Sequence, residues 1–83
     1  MHSPLFTEAF SKDVKQIKKD KILYERLLKK IEEILENPEH YPFKKYDLKG
    51  KRSAHIGSYV ILFEVKENEA IFHKFKHHDF VYE

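Results

Sequence analysis

The spacing of apolar residues changes from a helical period to a period of two about halfway along this chain of 83 residues. In the first half, Phe10, Val14 and Ile17 recur at the spacing of an amphipathic helix, and a second stripe runs from Leu23 to Leu35. From Lys51 onward, apolar and polar residues alternate as in half-buried strands. This order of patterns predicts an α+β fold with helices packed on one face of a sheet.

Capping residues and turn formers divide the chain into elements. Thr7 and Asp20 predict helix N-termini, and Asn37-Pro38 predicts the end of the second helix because proline lacks an amide donor. Residues 2 to 6 predict a first strand. Gly57-Ser58 predicts a two-residue hairpin turn, since glycine tolerates the positive φ of its first position. The predicted order is an N-terminal strand, an antiparallel helix hairpin and a three-stranded antiparallel meander.

Size and composition limit what such a fold does. A chain this short buries only about 60% of its unfolded surface, so we expect one domain, 1–83, with an exposed sheet face rather than a deep pocket. The absence of cysteine excludes disulfides and thiolate chemistry. No apolar run approaches the ~20 residues of a membrane span, and nothing resembles a signal peptide, which predicts a soluble, cytoplasmic protein.

The length of the second hairpin loop decides which side chains share a sheet face. We expect a three-residue loop, 67–69, with Lys66 opposite Ala70, because an odd loop keeps the apolar residues together. Six side chains are then predicted to lie under the helices: Tyr59, Ile61, Phe63, Val65, Ile71 and Phe75. The opposite face collects a basic cluster around two apolar residues: Lys51, His55, Val60, Leu62, Lys74, Lys76 and His78.

Two imidazoles among several ammonium groups suit cleavage of RNA without a metal. That reaction needs a base for the 2′-hydroxyl proton, an acid for the departing 5′-oxygen and cations around the phosphorane. Histidine suits both proton roles because its pKa of about 6.5 lies near working pH. Four lysines are predicted to bind the RNA backbone: Lys49, Lys51, Lys74 and Lys76. Three aromatic side chains are candidates for stacking on a base if they are exposed: Tyr59, Phe72 and Tyr82.

The remaining histidines do not predict a metal site. His73 and His77 share a strand face, which we expect the helices to cover, whereas His78 points to the other side. This spacing suits zinc poorly, and we expect neither a metal nor another cofactor. His2 and His40 are expected on the surface.

Four short motifs are spread over the second half of the chain: Leu48-x-Gly50, Arg52-Ser53-Ala54-His55, Ile56-Gly57-x-Tyr59 and His78-x-x-x-Tyr82. Together with the order of elements they resemble the RelE/ParE toxin superfamily, and above all the RelE-like mRNA interferases of the YafQ branch. The chain departs from the pattern at Val60, where many RelE-like toxins have an arginine. It also has Gly57-Ser58 where YafQ-like toxins have an aspartate.

The resemblance implies the toxin of a type II toxin–antitoxin pair, a ribosome-dependent endoribonuclease that cleaves mRNA in the ribosomal A site. By position, His55 and His78 match catalytic histidines and Tyr82 matches the terminal aromatic residue. With Val60 at the usual arginine position, transition-state charge falls to Arg52 or to the lysines. The resemblance also implies a cognate antitoxin, acidic enough to cover the basic face.

Two alternatives stay open. ParE-like toxins share this fold and inhibit DNA gyrase by binding, without catalytic histidines. The other alternative is a decayed toxin that keeps only antitoxin binding, which Val60 at the usual arginine position favours.

Overall fold

A four-stranded sheet and two main helices form the described part of the chain. The computed structural model describes residues 1–44 and 50–81. The elements are β1 (Ser3–Phe6), α1 (Glu8–Ile17), α2 (Lys21–Glu36), a 3₁₀ turn (Pro38–His40), β2 (Lys51–Ile56), β3 (Tyr59–Lys66) and β4 (Glu69–His77). The sheet order is β1-β4-β3-β2, with β1 parallel to β4 and the other pairs antiparallel. The predicted α+β architecture is confirmed. None of the helices in these ranges is long and apolar enough to span a bilayer.

Both helices begin at the predicted caps. The Thr7 hydroxyl oxygen accepts a hydrogen bond from the Phe10 amide at 3.2 Å. The same hydroxyl donates to the Phe72 carbonyl at 2.8 Å, which ties the start of α1 to β4. The Asp20 carboxylate accepts from the Leu23 amide at 3.1 Å and begins α2. The second helix ends one residue before the Asn-Pro pair, as predicted.

The apolar core lies between the helices and one face of the sheet. Three of its rings, Phe10, Phe63 and Phe72, are buried, and the exposed ring of Phe6 packs at its edge; neighbouring centroids in this group are 5.3 to 5.9 Å apart. Phe72 contacts the other three and is fully buried, so it does not meet the condition for stacking on a base. Tyr59 is half-buried and stacks on Phe75 at 5.1 Å.

The second hairpin differs from the predicted register. Its loop has two residues, Glu67-Asn68, and Lys66 lies opposite Glu69 instead of Ala70. The prediction of a three-residue loop is therefore wrong. Ala70 now faces the helices, while Ile71 lies on the other face. The alternation of side chains between the two faces is broken along β4, so the apolar residues do not require an odd loop.

A β-bulge in β4 restores the predicted facing for the rest of the strand. Between the facing pairs Phe63–Phe72 and Leu62–Lys74, His73 is one extra residue. From Lys74 to the end of β4, the side chains return to the faces predicted for them. The shorter loop and the extra residue cancel, which explains why Lys74 and Lys76 lie on the predicted face although the predicted loop was wrong.

The tight second turn holds a non-glycine residue in the left-handed region. Glu67 has a φ of 54°, which costs an L-residue about 1–2 kcal/mol. We expect Glu67→Gly to raise the free energy of unfolding by about 0.5–1 kcal/mol, since glycine removes this strain but adds entropy to the unfolded chain. Urea titration followed by circular dichroism measures the change. Asn68→Gly is the matched control, because Asn68 has no positive φ and should gain nothing.

Candidate functional site

The sheet face turned away from the helices carries the strand residues of the predicted basic cluster. We call it the open face, and its residues are Lys51, Ser53, His55, Val60, Leu62, Glu64, Lys74 and Lys76. Val60 and Leu62 are nonetheless fully buried, because Val81 from the segment after β4 packs on them. The position at which the motif comparison expects an arginine is thus a buried packing position.

His55 lies at one end of a row across the open face. It is exposed on β2 and directly opposite Val60, which lies opposite Lys76 on β4. Two interstrand spacings separate the Cα atoms of His55 and Lys76, or roughly 10 Å. Val81 covers Val60 between them, so a phosphodiester reaches this row at the exposed His55 end.

Asp13 of α1 was not predicted as a site residue, yet it holds the second half of β4. Its carboxylate is 5% exposed and accepts hydrogen bonds from the Phe75 amide at 2.9 Å and from Lys76 Nζ at 2.8 Å. Since β1 pairs with β4 only as far as Phe72, the amides beyond it need another acceptor. The sequence signal was an aspartate three residues after Phe10, on the apolar side of α1.

The other predicted RNA-binding lysines differ in their surroundings. Lys74 Nζ donates to the Val81 carbonyl at 3.4 Å, which helps to hold the C-terminal segment across the open face. Lys51 is half-buried at the start of β2. The predictions for Lys49 and for the terminal aromatic Tyr82 lie outside the described residues.

His78 is exposed just after β4, at the same end of the sheet as His55. Its amide donates to the Ser58 carbonyl at 2.8 Å, and its ring Nδ1 lies 3.3 Å from the same oxygen. Its Nε2 lies 3.0 Å from Asp79 Oδ1. Each ring nitrogen of His78 therefore has an oxygen within 3.3 Å. Within the described chain, β3 separates the two histidines and no hydrogen bond joins them.

His77, His78 and Asp79, which we call the tail cluster, bring three potential metal ligands together. One ligand atom from each lies within 4.8 Å of the others. The two imidazole centroids are 4.6 Å apart, and His77 Nδ1 lies 3.5 Å from Asp79 Oδ2. The prediction that the two histidines point to opposite sides is wrong, because β4 ends at His77 and the alternation ends with it.

His73 pairs with a carboxylate that sequence reasoning missed. Its Nε2 lies 2.8 Å from Glu64 Oε1, and the two side chains are 26% and 21% exposed. Because Glu64 belongs to the open face, the prediction that the helices cover His73 is wrong. The bulge turned this side chain over, and nothing in the local sequence marks the bulge.

Arg52 lies on the helix side of the sheet, away from His55. Its guanidinium donates to the carbonyl oxygens of Tyr41 at 2.8 Å and of Glu39 at 3.3 Å, and it lies 3.8 Å above the Phe43 ring. These contacts hold the segment after α2 against β2. Burial, and secondarily the Glu33 carboxylate, raise the pKa of the Tyr41 phenol above its ordinary value.

Comparison with known proteins agrees with this architecture. The family model described as "ParE toxin of type II toxin-antitoxin system, parDE" matches residues 5–82. A curated relative from Methanocaldococcus jannaschii, named "Putative toxin RelE4", is 43% identical over 68 residues, which cover 78% of this chain and 72% of the relative. The chain therefore belongs to the ParE toxin family of type II toxin–antitoxin systems, within the RelE/ParE superfamily.

Two solved structures have the same fold. One is the toxin–antitoxin complex RelBE2 from Mycobacterium tuberculosis, in which a chain 18% identical superposes with a TM-score of 0.79 over 92% of this chain and 96% of that chain. The other is the DinJ–YafQ complex from E. coli, with 20% identity and a TM-score of 0.75 over the full length of both chains. The predicted membership of the RelE/ParE superfamily is confirmed.

Proposed function

We propose that this toxin is a ribosome-dependent endoribonuclease that cleaves mRNA in the A site. The observation that carries the proposal is the position of two exposed imidazoles, His55 and His78, at one end of an open face that also presents lysines. Acid–base cleavage of RNA needs two proton-transfer groups on either side of the phosphate, and strand β3 provides that separation. The proposed cleavage takes place on translating ribosomes, and hence in the cytoplasm.

The surroundings of the two histidines suggest different roles. His55, with its exposed ring, is proposed as the base that removes the 2′-hydroxyl proton, after which the 2′-oxygen attacks phosphorus. His78 lies across β3 from His55, and an oxygen near each of its ring nitrogens can orient the ring. We therefore assign it as the acid that protonates the departing 5′-oxygen, leaving a 2′,3′-cyclic phosphate.

Charge on the phosphorane is proposed to be met by Lys74 and Lys76. Lys76 belongs to the row with His55, and its ammonium group reaches RNA only by leaving the Asp13 carboxylate on the α1 side. Arg52 donates to a carbonyl oxygen of the segment after α2, on the helix side of the sheet, so no contact between Arg52 and RNA is proposed. The proposed RNA-binding surface also includes Lys49, Lys51 and Tyr82, which are assigned from the sequence pattern alone.

A cognate antitoxin is the expected partner. Both solved relatives described above are complexes of a toxin with its antitoxin. An apolar groove between α1 and α2 presents Phe6 and Leu28, which are 48% and 46% exposed. We propose that an antitoxin segment covers such apolar surface, while its acidic residues neutralise the open face.

An in vitro translation reaction tests the function directly. Purified toxin is added with and without EDTA, and mRNA ends are mapped by primer extension. Codon-phased cuts on translated mRNA, with little cleavage of naked RNA, are expected in both samples. Undisturbed mRNA and undisturbed translation would contradict the proposal.

Inhibition of DNA gyrase is the second candidate, because the matching family model is that of ParE and because Val60 is buried where an arginine was expected. A supercoiling assay at the same toxin concentrations separates the two. Loss of supercoiling with intact mRNA would establish the second candidate. Antitoxin binding without either effect would indicate a decayed toxin.

A further inference from the structure

The tail cluster points to a ligand that RNA cleavage does not require. We propose that His77, His78 and Asp79 bind a divalent transition-metal ion, with Zn²⁺ as the best match. Two imidazoles and one carboxylate are first-choice ligands for such ions, whereas Mg²⁺ and Ca²⁺ prefer sets made only of oxygen.

The spacing of the ligand atoms suits one ion. Nitrogen and oxygen ligands lie about 2.0–2.2 Å from zinc, which in a tetrahedron places them roughly 3.4 Å from each other. In the tail cluster, His78 Nε2 lies 3.0 Å from one carboxylate oxygen of Asp79, and His77 Nδ1 lies 3.5 Å from the other. The full set falls within 4.8 Å, so small rotations of exposed side chains complete the site.

The backbone around the cluster is already held in place. The His78 amide donates to the Ser58 carbonyl at 2.8 Å, and the Phe80 amide donates to the His77 carbonyl at 2.9 Å. The Asp79 amide lies 3.2 Å from His77 Nδ1 and points to the lone pair that a metal would use. Binding through Nδ1 therefore replaces one weak hydrogen bond, and the chain pays little ordering entropy.

Lys76, the residue before the cluster, is paired with a carboxylate. Lys76 Nζ lies 2.8 Å from the buried Asp13 carboxylate on the α1 side. Three protein ligands leave a fourth position to water, and the ion requires neutral imidazoles.

A consequence follows if the proposed function is right. A metal on His78 takes the nitrogen that is proposed to carry the catalytic proton, so zinc should inhibit mRNA cleavage and EDTA should restore it. This consequence depends on the proposed function, whereas metal binding does not. Measuring both separates the failure of one from the failure of the other.

The test uses the full chain, freed of antitoxin and metal. Isothermal titration with Zn²⁺, checked by competition with a chromophoric chelator, should give one bound ion per chain. His77→Gln and Asp79→Asn should each weaken binding by about tenfold or more. Co²⁺ in place of Zn²⁺ should show the visible absorption of a low-symmetry site, and His77→Gln should abolish it.

Three histidines outside the cluster serve as matched controls. His40→Gln and His73→Gln should leave the affinity unchanged, and so should His2→Gln, which tests chelation by the N-terminal amine. Binding that is lost with His2→Gln, or that survives both His77→Gln and His78→Gln, overturns the proposal. Metal binding at the tail cluster, with no mRNA cleavage by the metal-free toxin, would support the metal site and contradict the proposed function.

Discussion

His78→Ala should lower the rate of ribosome-dependent mRNA cleavage by roughly 10²–10⁴-fold, the usual contribution of one general acid or base. The fold should survive, because the exposed ring makes no core contact and the Ser58 carbonyl is bonded by the backbone amide of residue 78. The measurement is the rate of codon-phased cutting in a translation reaction, alongside the growth arrest caused by induced toxin.

The pH profile distinguishes the two histidines. With His55 as base and His78 as acid, the rate should rise and then fall as the pH increases through the imidazole range. His78→Ala should remove the fall at alkaline pH, because the group that loses its proton there is gone. His55→Ala should instead remove the rise. The double variant should be little slower than either single variant, since the two act as a unit.

His40→Ala is the control for removal of a surface imidazole. His40 is exposed in the 3₁₀ turn after α2, so its substitution should leave cleavage and growth arrest unchanged. Full toxicity of both His55→Ala and His78→Ala would contradict the proposed mechanism.

Phe72→Ala should lower the free energy of unfolding by about 3–5 kcal/mol, the cost of emptying a phenylalanine site in a core. The Phe72 ring contacts three others, Phe6, Phe10 and Phe63, with centroids 5.3, 5.4 and 5.9 Å away. Small domains have only about 5–15 kcal/mol in total. The substitution should therefore remove a large part of the total stability, which urea titration followed by circular dichroism measures.

Phe80→Ala provides the comparison. Its ring is 55% exposed after β4, so its removal should cost less than about 1 kcal/mol. If Phe72→Ala kept full stability and lost only cleavage, Phe72 would be a base-stacking residue after all, and the buried position described above would be wrong.

The helices and the first hairpin of the meander could be predicted because local chemistry determines them. Thr7 and Asp20 carry their own capping oxygens, and Gly57 provides the positive φ of its turn. Each depends on neighbours within four residues. Their boundaries therefore agreed with the structure almost to the residue.

The sheet face on which each polar residue of β4 lies was harder to predict, because it depends on the number of residues in the preceding loop and on any extra residue within the strand. One residue fewer in the loop and one extra at His73 cancelled for Lys74 and Lys76 but not for Ile71. The aspartate that holds this strand, Asp13, lies 62 residues away in sequence from its Phe75 partner. Reasoning confined to a strand and its turn does not detect such a partner.

The sequence by itself determined the order of elements, the helix caps, the α+β class and the membership of the RelE/ParE superfamily. Periodicity and capping are properties of short segments, and they survive without knowledge of the rest of the chain. Only the tertiary structure decided that Phe72 lies in the core, that Arg52 donates hydrogen bonds to the segment after α2, and that the tail cluster brings two histidines together. Those outcomes depend on where β1 stops, where β4 bulges and where it ends, which are set by contacts between distant segments.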